Sequence, residues 1–295
     1  MKFAAIDIGS NAVRLLFCNV YEHERKTVFK KAELIRVPIR LGENAFTSGC
    51  ISLQKANDLV KTLQAFKLLI EVHNPIAYRA CATSAMRDAS NGKQILERIS
   101  NEANIDVELI DGSTEARLIY MNHIEENLDR NSSYLYIDVG GGSTELTLFS
   151  QNQHIFSKSF NIGTIRMLNE QIEKAYWADF KDWIKSATTK FYPVVAIGSG
   201  GNINKLHKIA RLKDSKPLTY TKLEMLFEEI NSYTYQERIE LLGLKPDRAD
   251  VIIPACKIFL SVMKNASIDK IFVPEIGLSD GIVHELYESF KTQKT

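Results

Sequence analysis

The sequence predicts an α/β protein built from two related halves, and three observations carry that prediction. Apolar runs of strand length alternate with segments of helical spacing along most of the chain. One strand–turn–strand pattern occurs twice, as KFAAIDIGSNAVRLLFCNV at Lys2–Val20 and as YLYIDVGGGSTELTLF at Tyr134–Phe149. Each copy runs an apolar strand into an aspartate, then a short Gly/Ser/Asn turn, then a second strand, so Asp7 and Asp138 fall at equivalent points. With 295 residues, 45% of them hydrophobic, the chain has material for two ordinary domains with full cores.

The first copy predicts two strands joined by its polar turn. A strand follows near Ile76–Cys81, a helix near Gly92–Ala103, a strand at Asp106–Ile110 and a helix from about Thr114 to Leu128. LDRNSS at Leu128–Ser133 is polar and aperiodic, which makes it the boundary candidate and gives domains of residues 1–124 and 125–295. After the second copy come a strand at His154–Phe160, helical segments near Ile165–Lys190, and a strand, VVAIGSGGNIN, over Val194–Asn204. NKLHKIARLKDSK at Asn204–Lys216 sets Lys205, Lys208 and Arg211 beside Leu206, Ile209 and Ala210, predicting a helix with one basic and one apolar face. From Leu223 the spacing is mostly helical, with one strand at Ile271–Val273 and a closing helix at Asp280–Phe290 that could pack back on the first domain.

Composition removes several functional classes. Lys plus Arg number 37 and Asp plus Glu 36, so a net charge of +1 supplies no global field to recruit nucleic acid or an anionic membrane. Any polyanion has to be held by a local site. Cys18, Cys50, Cys81 and Cys256 are far apart and form no CxxC or Cys/His cluster, against structural zinc and against a secreted disulfide framework. Asp7 interrupts the first apolar run after four residues, too early for a signal-peptide core, and no apolar stretch approaches membrane-spanning length. A protein of the reducing cytoplasm, with no nucleic-acid or membrane partner, is the expectation; a homodimer stays open.

Gly140, Gly141 and Gly142 admit two readings, a plain glycine hairpin and a phosphate cradle. A dinucleotide fingerprint would continue into a helix, whereas Glu145, Thr147 and Phe149 alternate with Leu146 and Leu148 as a strand does. A strand, a bare turn and a second strand can bring several backbone N–H groups to one concave surface, an anion nest. Two copies, each with an aspartate at the strand end, favour the cradle.

The motifs then extend over nearly the whole chain. DIGSNAVRLL at Asp7–Leu16, RLGE at Arg40–Glu43, ATSAMRDASN at Ala82–Asn91, GSTEARLIY at Gly112–Tyr120, DVGGGSTEL at Asp138–Leu146, IGSGGNI at Ile197–Ile203 and ERIELLGLKPDRADVI at Glu237–Ile252 stand in a characteristic order. Together they resemble the exopolyphosphatase and guanosine pentaphosphate phosphohydrolase family of the actin-like ATPase superfamily. The resemblance implies two actin-like (ribonuclease H-like) domains, each a mixed sheet with helices, and an active-site cleft between them. It implies a phosphohydrolase that takes the terminal phosphate of inorganic polyphosphate or of guanosine pentaphosphate, with Mg2+ as cofactor.

Carried over residue by residue, the resemblance makes Glu115 the general base that activates water and makes Asp138 and Glu145 the magnesium carboxylates. Gly140, Gly141, Gly142 and Ser143 become the phosphate cradle; Asp7, Ser10, Asn11 and Arg14 belong to the first phosphate loop. Arg87 joins the catalytic set, and Gly200 and Gly201 of the third glycine motif join the substrate contacts. Phosphoanhydride hydrolysis asks for these types independently: a positioned water, a base, and positive charge on the equatorial oxygens. The chain departs from the family pattern at Ala12, at Thr114–Glu115 where the family has a doubled glutamate, at Asn202 and at Ser279. It lacks the C-terminal His-Asp helical domain of longer relatives and resembles the short two-domain branch, from which short polyphosphates are the expected chain length. Two other readings remain: a sensor of a phosphorylated nucleotide with little turnover, and a small-molecule kinase of the same superfamily.

Overall fold

The computed structural model describes residues 1–24, 26–121, 132–151, 153–213 and 216–294. The chain divides into two compact units, Met1–Asn122 with Gly277–Thr295, and His123–Ile276. Most of the boundary segment Leu128–Ser133, and the far end of the helix expected to reach Leu128, lie outside the described residues.

In the first unit, strand β1 (Lys2–Ile8) pairs antiparallel with β2 (Val13–His23), and β2 with β3 (Lys26–Val37). On its other side β1 pairs parallel with β4 (Ala77–Ala82), which pairs parallel with β5 (Val107–Leu109), giving the order β3-β2-β1-β4-β5. Both central strands are apolar on both faces, as a sheet covered on two sides requires. Helices α1 (Gly42–Thr47) and α2 (Leu53–His73) follow β3, and α3 (Ser84–Asp88) and α4 (Gly92–Ala103) follow β4. Helix α2 starts on the Ser52 hydroxyl, which accepts from the Lys55 amide, ends on left-handed Asn74, and stacks His73 on Phe17 of β2. Helix α5 (Gly112–Tyr120) follows β5.

In the second unit, β6 (Ser133–Val139), β7 (Thr144–Ser150) and β8 (Gln153–Phe160) form an antiparallel meander. Helices α6 (Thr164–Leu168) and α7 (Lys174–Thr188) lead to β9 (Val194–Ser199), parallel to β6. Next come α8 (Gly201–Ile209), β10 (Leu218–Thr219), α9 (Tyr220–Ser232), α10 (Tyr235–Glu240), α11 (Pro246–Ala249), α12 (Ile252–Asn265) and β11 (Lys270–Phe272). The sheet order is β10-β11-β9-β6-β7-β8. Apart from the short β10, this repeats the first sheet strand for strand, so the sequence echo is a repeat of topology. The core of this unit lies under α12, whose Ile252, Cys256, Phe259 and Met263 pack with Leu135, Ile137, Leu146 and Leu148.

Helix α13 (Leu278–Lys294) closes the chain and packs on the first sheet and α5, with Leu278, Ile282, Val283 and Tyr287 joining Phe3, Leu16 and Leu118. A Cβ at Gly281 would collide with the Leu118 carbonyl, so only glycine lets these two helices approach so closely.

Two expectations are corrected. The strand expected over Val194–Asn204 ends at Ser199 and turns into α8 at Gly201, because Gly200 takes a φ of +102° that reverses the chain. The basic helix expected over Asn204–Lys216 stops at Ile209, two residues before left-handed Arg211. Its basic face is partly engaged: Lys208 pairs with Glu275, and Lys205 Nζ donates to the Gly243 carbonyl at 3.2 Å.

Candidate active site

Both hairpins close in the same way. The Gly9 amide donates to the Ala12 carbonyl at 3.2 Å, and the Gly140 amide to the Ser143 carbonyl at 2.9 Å. Each aspartate sits two residues before that glycine, at the end of its strand. Beyond this common frame the copies differ in charge.

In the first unit Asp7 is buried and faces Arg14 across the β1–β2 pair, with NH1 donating to Oδ2 at 2.6 Å. The next strand places Arg36 beside Arg14, and β4 places Cys81 beside Asp7. The loop itself is held from outside: the Ser10 and Asn11 carbonyls accept from the Gly42 amide at 2.8 Å and the Arg40 amide at 3.0 Å. Ser10 and buried Ser84 share a hydroxyl hydrogen bond of 2.9 Å. Arg40 adopts a φ of +57°, and Lys55 Nζ donates to its carbonyl at 2.5 Å and to Glu43 Oε2 at 2.6 Å. Burial pushes the Glu43 carboxyl up, but Lys55 and Arg40 outweigh it and hold the group below its ordinary range.

Glu115 lies buried in the first turn of α5, where a helix terminus favours an anion. That helix starts on Asp111, whose carboxylate accepts from the Thr114 amide at 2.8 Å and from the Ser113 hydroxyl at 2.9 Å. The Thr114 amide, then the neighbouring hydroxyls, hold the Asp111 carboxyl below its usual range. Arg87 NH1 donates to the Ile110 carbonyl at 2.9 Å, so Arg87 ties down the segment from which this helix begins.

In the second unit Asp138 and Glu145 are register partners across β6 and β7. Two acids thus stand where the first hairpin has an acid and an arginine. The neighbouring strands supply hydroxyls at the same level: Ser199 of β9 donates to Asp138 Oδ1 at 2.6 Å, and Ser159 of β8 donates to Glu145 Oε1 at 2.8 Å. Gly200 follows Ser199, and a Cβ there would stand 3.2 Å from Asp138 Oδ1, tighter than ordinary contact.

The glycine turn is fastened by its carbonyls. Gly140 and Gly141 accept from the amides of Thr164 and Ile165 at 3.0 and 2.8 Å, and Gly142 accepts from Arg166 Nε at 2.8 Å. Because the amide and carbonyl of a peptide plane point in opposite directions, carbonyls turned onto α6 leave the neighbouring N–H groups facing the other way. A Cβ at Gly163 would run into the backbone of Gly141 and Gly142. Gly163, Arg166, Ser159, Ser199 and Ser84 were not singled out by the sequence reading. Ser84 and Ser199 lie within quoted motifs, whereas Ser159 and Arg166 gain meaning only once β8 and α6 are placed.

The Ppx/GppA phosphatase family model matches residues 20–290. The chain belongs to the Ppx/GppA phosphatase family. Exopolyphosphatase 1 of Mycobacterium tuberculosis is 25% identical, over 96% of this chain and 87% of that protein. The guanosine-5'-triphosphate,3'-diphosphate pyrophosphatase of Aliivibrio fischeri is also 25% identical, over 99% of this chain and 61% of that enzyme. Among solved structures, an exopolyphosphatase from Cytophaga hutchinsonii superposes with a TM-score of 0.85 at 23% identity, covering 98% of both chains. The Aquifex aeolicus Ppx/GppA family member superposes with a TM-score of 0.75 at 24% identity, again over 98% of each chain. The two-domain actin-like fold is therefore that of the Ppx/GppA phosphatases.

Proposed function

We propose that this chain is a Mg2+-dependent phosphohydrolase that removes the terminal phosphate of inorganic polyphosphate or of guanosine pentaphosphate, with Glu115 as general base. The juxtaposition of Asp138 and Glu145 under the glycine turn carries the reading. Two carboxylates facing each other across a strand pair repel unless a cation joins them. An all-oxygen, doubly acidic set fits a magnesium ion, which takes one or two carboxylates and keeps several waters. Bound there, magnesium would neutralise charge on the phosphate oxygens.

The chain's own groups do the rest. Amides of the Gly140–Ser143 turn receive phosphate oxygens, and Arg14, oriented by Asp7, supplies positive charge from the first hairpin. The Glu115 carboxylate takes a proton from the attacking water; the water oxygen bonds to the terminal phosphorus as the bridging P–O bond breaks, and that electron pair leaves with the shortened product. Short chains are the preferred length, because a net charge of +1 gives no long-range field to retain a long polyanion. All four cysteines are free, in keeping with a reducing cytoplasm. Among the described residues no helix is long and apolar enough to cross a membrane.

Phosphate release from polyphosphates of defined length, guanosine pentaphosphate and ATP, with and without magnesium, tests the proposal. Magnesium-dependent release from the first two is expected. Tight binding of guanosine pentaphosphate without release would favour a sensor.

A further inference from the structure

Ser159, Glu145, Asp138 and Ser199 form a continuous row across four neighbouring strands, β8, β7, β6 and β9, each the register partner of the next. The two acids occupy the middle and the two hydroxyls the ends. Each hydroxyl donates outward-in, to one oxygen of the adjacent carboxylate. The equivalent row of the first sheet reads Arg36, Arg14, Asp7, Cys81. Flanking hydroxyls thus occur in the row whose centre is doubly acidic and not in the row where an arginine answers the aspartate.

We infer that Ser159 and Ser199 are positioning residues for the carboxylate pair, each fixing one oxygen of its neighbour so that Glu145 and Asp138 together present a preorganised divalent-cation site. The inference rests on the magnesium reading above. Its physical basis is that a glutamate has three rotatable side-chain bonds, and an unanchored one loses that freedom when it engages a cation. Glu145 is buried, whereas Ser159 is exposed on an edge strand, so this hydroxyl pins the acid from the solvent side. Groups that orient metal ligands from behind typically contribute about 10- to 100-fold to metal affinity. Ser157, on the same face of β8, shares hydrogen bonds with the Thr147 hydroxyl at 3.0 Å and with His154 Nε2 at 2.9 Å instead, and provides an internal control.

The experiment measures cation binding to the substrate-free protein, by calorimetry with Mg2+ and by electron paramagnetic resonance with Mn2+, alongside thermal melting and turnover. Ser159→Ala and Ser199→Ala should each weaken binding about 10- to 100-fold and raise the cation concentration needed for half-maximal turnover by a similar factor. Ser159→Thr, which keeps the hydroxyl, should restore affinity, and Ser157→Ala should bind as the parent does. Unchanged affinity in both alanine variants, with binding lost in Asp138→Asn, would overturn the positioning role and leave the magnesium reading intact. Equal binding by the parent and Asp138→Asn would overturn both. Should Ser159→Ala fail to fold, the Ser199→Ala affinity decides.

Discussion

Glu145 holds in the second hairpin the register position that Arg14 holds in the first, each facing an aspartate across its strand pair. The substitution of charge inverts what the repeated frame attracts. Asp7 and Arg14 form an ion pair at 2.6 Å, which on the proposed reading orients the guanidinium toward an anion. Asp138 and Glu145 set two acids face to face, which on the proposed reading a cation joins. On the reading proposed above, the repeated frame serves an anion in one copy and a cation in the other, and the first prediction follows from the like-charged pair.

Facing like charges destabilise a strand pair by an amount comparable to the roughly 0.2–1 kcal/mol that a favourable pair contributes. Asp138→Asn removes the repulsion and keeps an oxygen for the Ser199 hydroxyl. Without magnesium the variant should be as stable as the parent or slightly more so; with magnesium only the parent should gain stability, since a ligand stabilises the state it binds. Urea titrations with and without magnesium measure this. A variant that gains as much from magnesium as the parent would count against Asp138 as a ligand.

Glu115→Gln keeps size and hydrogen bonding but removes proton acceptance. Turnover should fall about 100- to 10,000-fold, with substrate binding largely kept. Steady-state kinetics paired with equilibrium binding separates the two effects. Near-parental kcat would sink the base assignment.

Gly163→Ala forces a methyl group against the backbone of Gly141 and Gly142. Overpacking of this kind costs about 1–3 kcal/mol. The turn must shift to relieve it, so kcat/KM should drop along with the urea midpoint. Gly49→Ala serves as the contrast: its φ of +72° brings backbone strain, but no atom lies within 4 Å of the added Cβ. Loss of stability without loss of activity is therefore expected there, and a fully active Gly163→Ala would show that the turn needs no such close support.

The repeated hairpins were legible because strand periodicity and the Asp–Gly spacing both survive in one dimension. Helix α4 was expected over Gly92–Ala103 and occupies that span. Helix α2 was missed although Ala56, Leu59, Val60, Leu63, Phe66 and Ile70 form a regular buried stripe. Leu53, Leu68 and Val72 are exposed by 74%, 64% and 81% and blur that stripe in the sequence. Strand β3 was missed for the opposite reason: its lysines suit an exposed edge and hide the alternation. At the site, residues within one hairpin could be read directly. Ser159 and Gly163 could not, because their meaning depends on register with β7 and on the approach of α6.

The last prediction concerns Asp111, which caps the helix bearing Glu115. Its carboxyl lies below the ordinary range because the Thr114 amide, and then the Thr114 and Ser113 hydroxyls, favour the charged form. A group depressed in the folded state contributes stability above its unfolded value of about 3.9 and loses that contribution as pH falls through the folded value. Asp111→Ala should therefore cost about 1 kcal/mol at neutral pH, and the gap between parent and variant should close as the medium is acidified below the unfolded value. Asp111→Asn, which still caps but does not titrate, should cost less at neutral pH, and its gap to the parent should narrow on acidification as well, because only the parent loses the charge-dependent contribution. Because a frayed first turn would let Glu115 wander, Asp111→Ala should also lower kcat more than it changes KM. Urea midpoints of all three proteins across the acid range decide the matter: a parent–alanine gap that stays constant on acidification means the cap does not depend on the charge of Asp111.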